Sequence, residues 1–243
     1  MKKYELTGGE TEEIGGKILH RIRALIDIPE HDVKAGDLGG WIEAERNLSQ
    51  KGAAWVAGKA CVTGSACVTD SARVTGKALV ADSALVADSA LVTDSARVTG
   101  KARVTGKALV ADSALVTDSA HVMDFARVMG RALVADSARV MGKALVTDFA
   151  RVMGKARVTD SAHVMGKARV TDASDYITIG AIGSRNDTTT FYRGTDGGIY
   201  VTCGCFNGTI DDFAAKVKQV HAGTKHERTY LLAIELAKAQ IET

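Results

Sequence analysis

Ala54-Trp-Val-Ala-Gly-Lys59, Ala60-Cys-Val-Thr-Gly-Ser65, Ala66-Cys-Val-Thr-Asp-Ser71 and Ala72-Arg-Val-Thr-Gly-Lys77 open a run of twenty six-residue units. It ends at Ala168-Arg-Val-Thr-Asp-Ala173. Alanine and, two positions later, valine recur without a slip from Ala54/Val56 to Ala168/Val170. Residues two apart on an extended strand point the same way, so alanine and valine share one face and the residue between them faces away. The fifth position is Gly or Asp in every unit. Both tolerate the left-handed backbone of a tight corner, Gly because it lacks a Cβ and Asp because it bonds its own backbone.

Each unit therefore reads as a short strand plus a corner. A strand with one apolar face cannot stand alone, so successive units must coil and stack. A valine every six residues does not stay on one side of a helix with 3.6 residues per turn, which excludes a helical reading. Three units per turn make a three-sided prism with 18 residues per coil. Twenty units then give about 6.7 coils and, at roughly 4.8 Å per coil, a rod about 32 Å long. The expected fold is mainly β, a triangular parallel β-helix with a small β/α cap at its C-terminal end.

Composition agrees with this. The chain has 243 residues, one proline (Pro29) and 5% aromatic residues, which suits stacked small and β-branched side chains better than a globular core. The first residues, MKKYELTGGETEE, lack the apolar stretch of a signal peptide, and no window approaches a membrane span. With four cysteines that have no evident disulfide pattern, the expectation is reduced thiols in a cytoplasmic protein. The net charge of +2 is uneven: residues 53–173 hold 16 Lys and Arg against 11 Asp, a local +5, and the flanks carry −3. That asymmetry is too small to announce a nucleic-acid partner by itself.

The resemblance carried by these units is to the hexapeptide repeat, an aliphatic residue followed four positions later by a small one (Val56 to Ala60, Val62 to Ala66). That repeat builds the left-handed parallel β-helices best known from acyltransferases, so handedness is implied by the resemblance alone. The flanks Gly36-Asp-Leu-Gly-Gly-Trp-Ile-Glu43, Asn47-Leu-Ser49, Ile177-Thr-Ile-Gly-Ala-Ile-Gly-Ser-Arg-Asn186 and Cys203-Gly-Cys-Phe-Asn-Gly-Thr209 are similar to YdcK-like and phage- or prophage-encoded hexapeptide-repeat proteins. The resemblance implies a capped solenoid in a bacterial host cell. It transfers no chemistry to particular residues.

Open strand edges at the two ends of a solenoid need covering. Residues 1–50 are expected to form an N-terminal cap, residues 51–173 the β-helix and residues 174–243 a β-hairpin with two helices. In the first cap Ile18, Ile22, Ala24 and Ile26 suggest a strand through Lys17–Asp27, broken by Leu19 and Leu25, and Ile42 and Leu48, six apart, suggest an irregular first coil. In the last unit, strands are expected at Tyr176–Ile182, Phe191–Tyr192 and Ile199–Phe206, with a turn at Thr195-Asp-Gly-Gly198. A helix beginning at Thr209 would bury Phe213, Val217 and Val220, and one from about Glu227 carries Leu231, Ile234, Leu236 and Ile241.

Candidate sites follow from the outward slot. Every eighteenth residue gives one side as Trp55, Arg73, Leu91, Leu109, Arg127, Leu145, His163. The second side is Cys61, Leu79, Arg97, Leu115, Leu133, Arg151, Arg169, and the third is Cys67, Leu85, Arg103, His121, Arg139, Arg157. The basic ladder Arg103, His121, Arg139, Arg157 suits phosphates or an acidic protein surface. Alternatively its arginines pair with corner carboxylates such as Asp88, Asp124 or Asp160. The leucine pairs Leu91/Leu109 and Leu115/Leu133 are candidate subunit contacts, or isolated apolar residues shielded by arginine stems.

Hexapeptide acyltransferases generally use a histidine and a projecting loop. No loop interrupts the twenty units, and His121 and His163 fall on different sides, as solvated histidines would. Cys203, Cys205, His221 and His226 are the one set with zinc-ligand chemistry, but nothing fixes the helix end against the strand, so no metal and no cofactor is expected. The leading reading is a non-enzymatic scaffold with an unidentified protein partner, and the resemblance points to a host protein. Homodimers or trimers are in keeping with related β-helices. A divergent acyltransferase and a nucleic-acid or polyanion binder are the alternatives, and no catalytic residue is assigned.

Overall fold

The computed structural model describes residues 2–241. Twenty two-residue strands, β4 (Trp55–Val56) through β23 (Arg169–Val170), build a parallel β-solenoid of about seven turns. Each strand pairs in register with the one 18 residues on, as in Leu91↔Leu109 and His121↔Arg139, so three units complete a turn. The strands sort into three sheets whose outward residues are the three columns expected from the eighteen-residue spacing.

Every repeat valine is fully buried, and the repeat alanines beside them are 0–1% exposed. At the corners, the ten repeat aspartates from Asp70 to Asp160 have φ of 57–62° and the nine repeat glycines from Gly58 to Gly166 have φ of 62–71°. This is the left-handed region that only Gly and, less easily, Asp and Asn enter without strain. A four-residue turn closes each corner, as where Ala72 N–H donates to Thr69 O at 3.1 Å.

The coils have a polarity that explains the caps. Ladder N–H groups donate to the following coil, as in Arg103 N to Ala120 O at 2.9 Å. The first coil therefore lacks donors for its carbonyls and the last coil lacks acceptors for its N–H groups. The N-terminal segment supplies donors. Lys3 Nζ bonds Ala54 O at 2.7 Å, Tyr4 Oη bonds Leu48 O at 2.7 Å and Asn47 Nδ2 bonds Ala66 O at 2.8 Å. The C-terminal segment supplies acceptors. Thr190 Oγ1 takes His163 N–H at 3.0 Å, and Asp175 Oδ2 takes Thr171 N–H at 2.7 Å.

The N-terminal cap is a long hairpin, β1 (Tyr4–Ile14) and β2 (Lys17–Ala24), followed by β3 (Leu38–Ile42). All three extend the sheet of the second side, and β3 joins it in parallel through Trp41↔Cys61 and Ile42↔Val62. Ile42 and Leu48 are buried as an irregular first coil. The expected inward set of β2 needs correction: Leu19, Ile22 and Ala24 are buried, while Ile18 is 61% exposed. The strand ends at Ala24, and the irregularity in its pairing between Arg21 and Arg23 places the extra residue in β3; Ile22 and Ala24 join the solenoid core, whereas Leu19 is buried outside that cluster. Trp55 and Cys61, which open two outward columns, are buried, Trp55 in one cluster with Ile28 and Val33 of the cap loop.

At the other end β24 (Tyr176–Ile182), β25 (Asp187–Arg193), β26 (Ile199–Cys203) and β27 (Phe206–Thr209) form an antiparallel sheet. Tyr192 on one face joins the solenoid core, while Phe191 and Val201 on the other pack against α1 (Ile210–His221) and α2 (Lys225–Ile241). The sheet thus plugs the last coil and carries a second core outside it. Thr209 caps α1, its Oγ1 accepting from Asp212 N–H at 3.1 Å. Two expected core positions are solvent-facing: Val220 and Leu236 are more than half exposed. Helix α2 instead buries Tyr230, Ala233, Ile234, Ala237 and Ile241, an i, i+3, i+4, i+7 stripe that puts Leu236 on the opposite side.

Candidate interaction surface

Arg103, His121, Arg139 and Arg157 stand in one column on the third side, joined by the pairs Arg103↔His121, His121↔Arg139 and Arg139↔Arg157. The three arginines are exposed and His121 is half-buried between two of them. Desolvation first, then the charges of Arg103 and Arg139, hold the His121 imidazole below its ordinary pKa. It therefore contributes a neutral rung at neutral pH and a charged one only in acid.

The expected pairing of these arginines with Asp88, Asp124 or Asp160 is not found. Among the described residues no repeat arginine makes an ion pair with a carboxylate. The corner aspartates have other partners. Nine of them accept a backbone N–H from the coil 18 residues on, including Asp88 from Gly106 at 2.8 Å and Asp124 from Gly142 at 3.0 Å. Asp160 accepts from Thr159 Oγ1 at 3.0 Å. A carboxylate bonded to a backbone donor one coil along is held at the corner and does not swing across to the side face.

Two exposed phenylalanines break the Ser/Lys pattern of the corner slot. Phe125 lies on the corner that follows the third side, 54% exposed, with Lys107 Nζ 5.6 Å from its ring centre. Phe149 lies on another corner, with the Arg131 guanidinium at 5.7 Å. Each replaces a serine or lysine of the repeat, and periodicity alone gave no reason to single them out.

The leucine pairs are less open than their outward slots suggest. Leu91 with Leu109, and Leu115 with Leu133, adjoin along the first and second sides, and all four are half-buried. Each pair has an arginine next to it in its column, Arg127 beside Leu109, Arg97 beside Leu115 and Arg151 beside Leu133.

His121 is on the third side and His163 on the first, and no loop leaves the coils between them. The expected strand Ile199–Phe206 is interrupted, so Cys203 and Cys205 do not lie on one strand. Strand β26 ends at Cys203, Cys205 sits in the turn, and Cys203 pairs with Phe206 across it. His221 ends α1 and packs against His226 of α2, ring centres 5.9 Å apart. Among the described residues no three His, Cys, Asp or Glu side chains converge as a metal set, and no helix is long and apolar enough to cross a membrane. In comparison with known proteins, no family model and no curated relative matches the chain.

Proposed function

We propose that the chain is a non-enzymatic scaffold that binds an acidic protein surface along its third side. One observation carries this reading: among the described residues the arginines of the ladder have no carboxylate partner, because Asp88 and Asp124 are bonded to the backbone of the next coil and Asp160 to Thr159. Cations presented at regular intervals on a flat, rigid face are suited to steering and registering an acidic partner. The resemblance to phage- and prophage-encoded proteins favours a bacterial host protein as that partner.

The test is affinity capture from bacterial lysate with the wild-type chain and with Arg103→Gln/Arg139→Gln/Arg157→Gln. A captured protein should be lost with the triple variant and released by salt, and calorimetry with that protein purified should show affinity falling as ionic strength rises. Equal capture by both chains overturns the reading.

A second reading, a polyanion or single-stranded nucleic acid, is favoured by Phe125 beside Lys107 at the margin of the same face, since bases stack on exposed aromatic rings between cations. Anisotropy with a labelled single-stranded oligonucleotide decides it: binding weakened by Phe125→Ala supports nucleic acid, and absent binding removes it. Acyl transfer gains no support, since no loop closes a donor site over His121 or His163.

A further inference from the structure

The C-terminal unit holds a groove of about 250 Å³ between the turn at Ser184–Arg185, the Cys203–Phe206 hairpin, α1 and Tyr230 of α2. Its base is apolar, formed by Phe206, Phe213 and Val217, with Phe206 and Phe213 ring centres 5.1 Å apart. Its margin is cationic. Arg185 and Lys216 line it beside His221, and among the described residues no aspartate or glutamate does. Asp187, the nearest acidic residue in sequence to Arg185, acts on it only through space and accepts the N–H of Thr188 at 2.7 Å, outside the groove lining.

Two glycines hold this arrangement by close approach. Gly204, at φ +58°, lies under the Arg185 guanidinium, where an added Cβ would sit 2.8 Å from Nη1. Arg185 Nη1 also reaches Cys205 Sγ at 3.5 Å, which steadies it over the hairpin turn. Gly183, at φ +74°, lies against Tyr230, where a Cβ would collide with the phenol. Tyr230 is buried, and burial followed by its contact with Cys203 raises its pKa, so at neutral pH it is a protonated phenol at the wall. The C-terminal end of α1 carries a partial negative charge that opposes an anion nearby, but that effect fades beyond the last turn and the full charges of Arg185 and Lys216 outweigh it.

We infer that this groove is a binding site for a small amphipathic anion: a one- or two-ring or short acyl body lying on Phe206, Phe213 and Val217, with a carboxylate, sulfonate or phosphate head held by Arg185 and Lys216. The volume is below that of a drug-sized site, which sets the size of the body. The absence of lining carboxylates selects the charge, and planar Arg185 suits a forked oxyanion head. The site is independent of the third-side ladder.

The probe is 2-naphthalenesulfonate, titrated into the whole chain by calorimetry, with 2-naphthalenesulfonamide as its uncharged counterpart. The expected result is one equivalent of sulfonate bound, with at least a ten-fold loss for the sulfonamide and for Arg185→Gln. Lys216→Gln should also weaken binding, whereas Arg157→Gln on the distant ladder should not. Bound sulfonate should slow the reaction of Cys205 with a disulfide reagent. Arg185 and Lys216 are exposed, and an unchanged far-UV spectrum verifies that these variants are folded. No binding at millimolar sulfonate, equal affinity for the sulfonamide, or full affinity in Arg185→Gln overturns the assignment.

Discussion

Replacing Val110 by alanine separates an inward valine from its outward neighbour. Val110 is fully buried and pairs in register with Val92 and Val128 on the coils before and after it. Truncation removes two methyl-sized groups, about 1.6 kcal/mol at roughly 0.8 kcal/mol each. The coils cannot close the gap, because Leu109 N–H to Ala126 O (2.9 Å) and Ala111 N–H to Val128 O (3.0 Å) fix their spacing. A cavity contribution of about 1 kcal/mol raises the expected loss to about 2.5 kcal/mol. Leu109→Ala removes more carbon, but from a half-buried outward slot that leaves no enclosed void. It should cost less than about 1 kcal/mol. Urea unfolding followed by far-UV circular dichroism measures both, with the slope checked for constancy. If Leu109→Ala costs as much as Val110→Ala, the valine column does not lie in a closed interior and the packing account fails.

Three further outcomes are expected. Asp112→Ala loses both the ease of φ +59° and the 2.9 Å bond from Gly130 N–H, about 2 kcal/mol together, and Asp112→Gly should recover about half by urea midpoint. Lys3 is buried with no carboxylate partner among the described residues, and desolvation lowers its pKa to about 8. Between pH 8 and its ordinary 10.5 the unfolded chain holds more protons, so stability should rise with pH across that window in wild type relative to Lys3→Met. Unfolding curves for the two chains that stay parallel from pH 7 to 10 would contradict this. Cys61 is buried and its thiol is pushed up to about 11 by desolvation and then by Glu12, so it should react last with a disulfide reagent at pH 8 and exposed Cys205 first, as peptide mapping of labelled sites would show.

The solenoid was legible because each requirement maps onto one position of the unit: alanine and valine for the interior, Gly or Asp for the left-handed corner. The outward columns followed from the same eighteen-residue count. The caps were harder because their strands obey no common period. Leu19 is buried although it lies out of phase with the core residues Ile22 and Ala24, while Ile18, in phase with them, is exposed, and an alternation count cannot see this. In α2 the buried stripe runs through Tyr230, Ala233 and Ala237, so picking the largest aliphatic residues led to Leu236. The cationic ladder was visible, but the fate of the corner carboxylates was not, since their bonds to Gly106 and Gly142 cross between coils. The C-terminal groove was hidden because its walls come from a turn, a hairpin and two helices whose mutual packing no local pattern encodes.

The central claim is that three units complete one turn. Disulfide formation tests it in a chain whose four native cysteines are replaced by serine. Leu91→Cys with Leu109→Cys places thiols on directly paired strands about 4.8 Å apart, within the span a disulfide bridges. Leu91→Cys with Leu115→Cys places them on different sides. Mild oxidation should cross-link the first pair and leave the second reduced. Cross-linking of the second pair, or of neither, would contradict a three-sided coil.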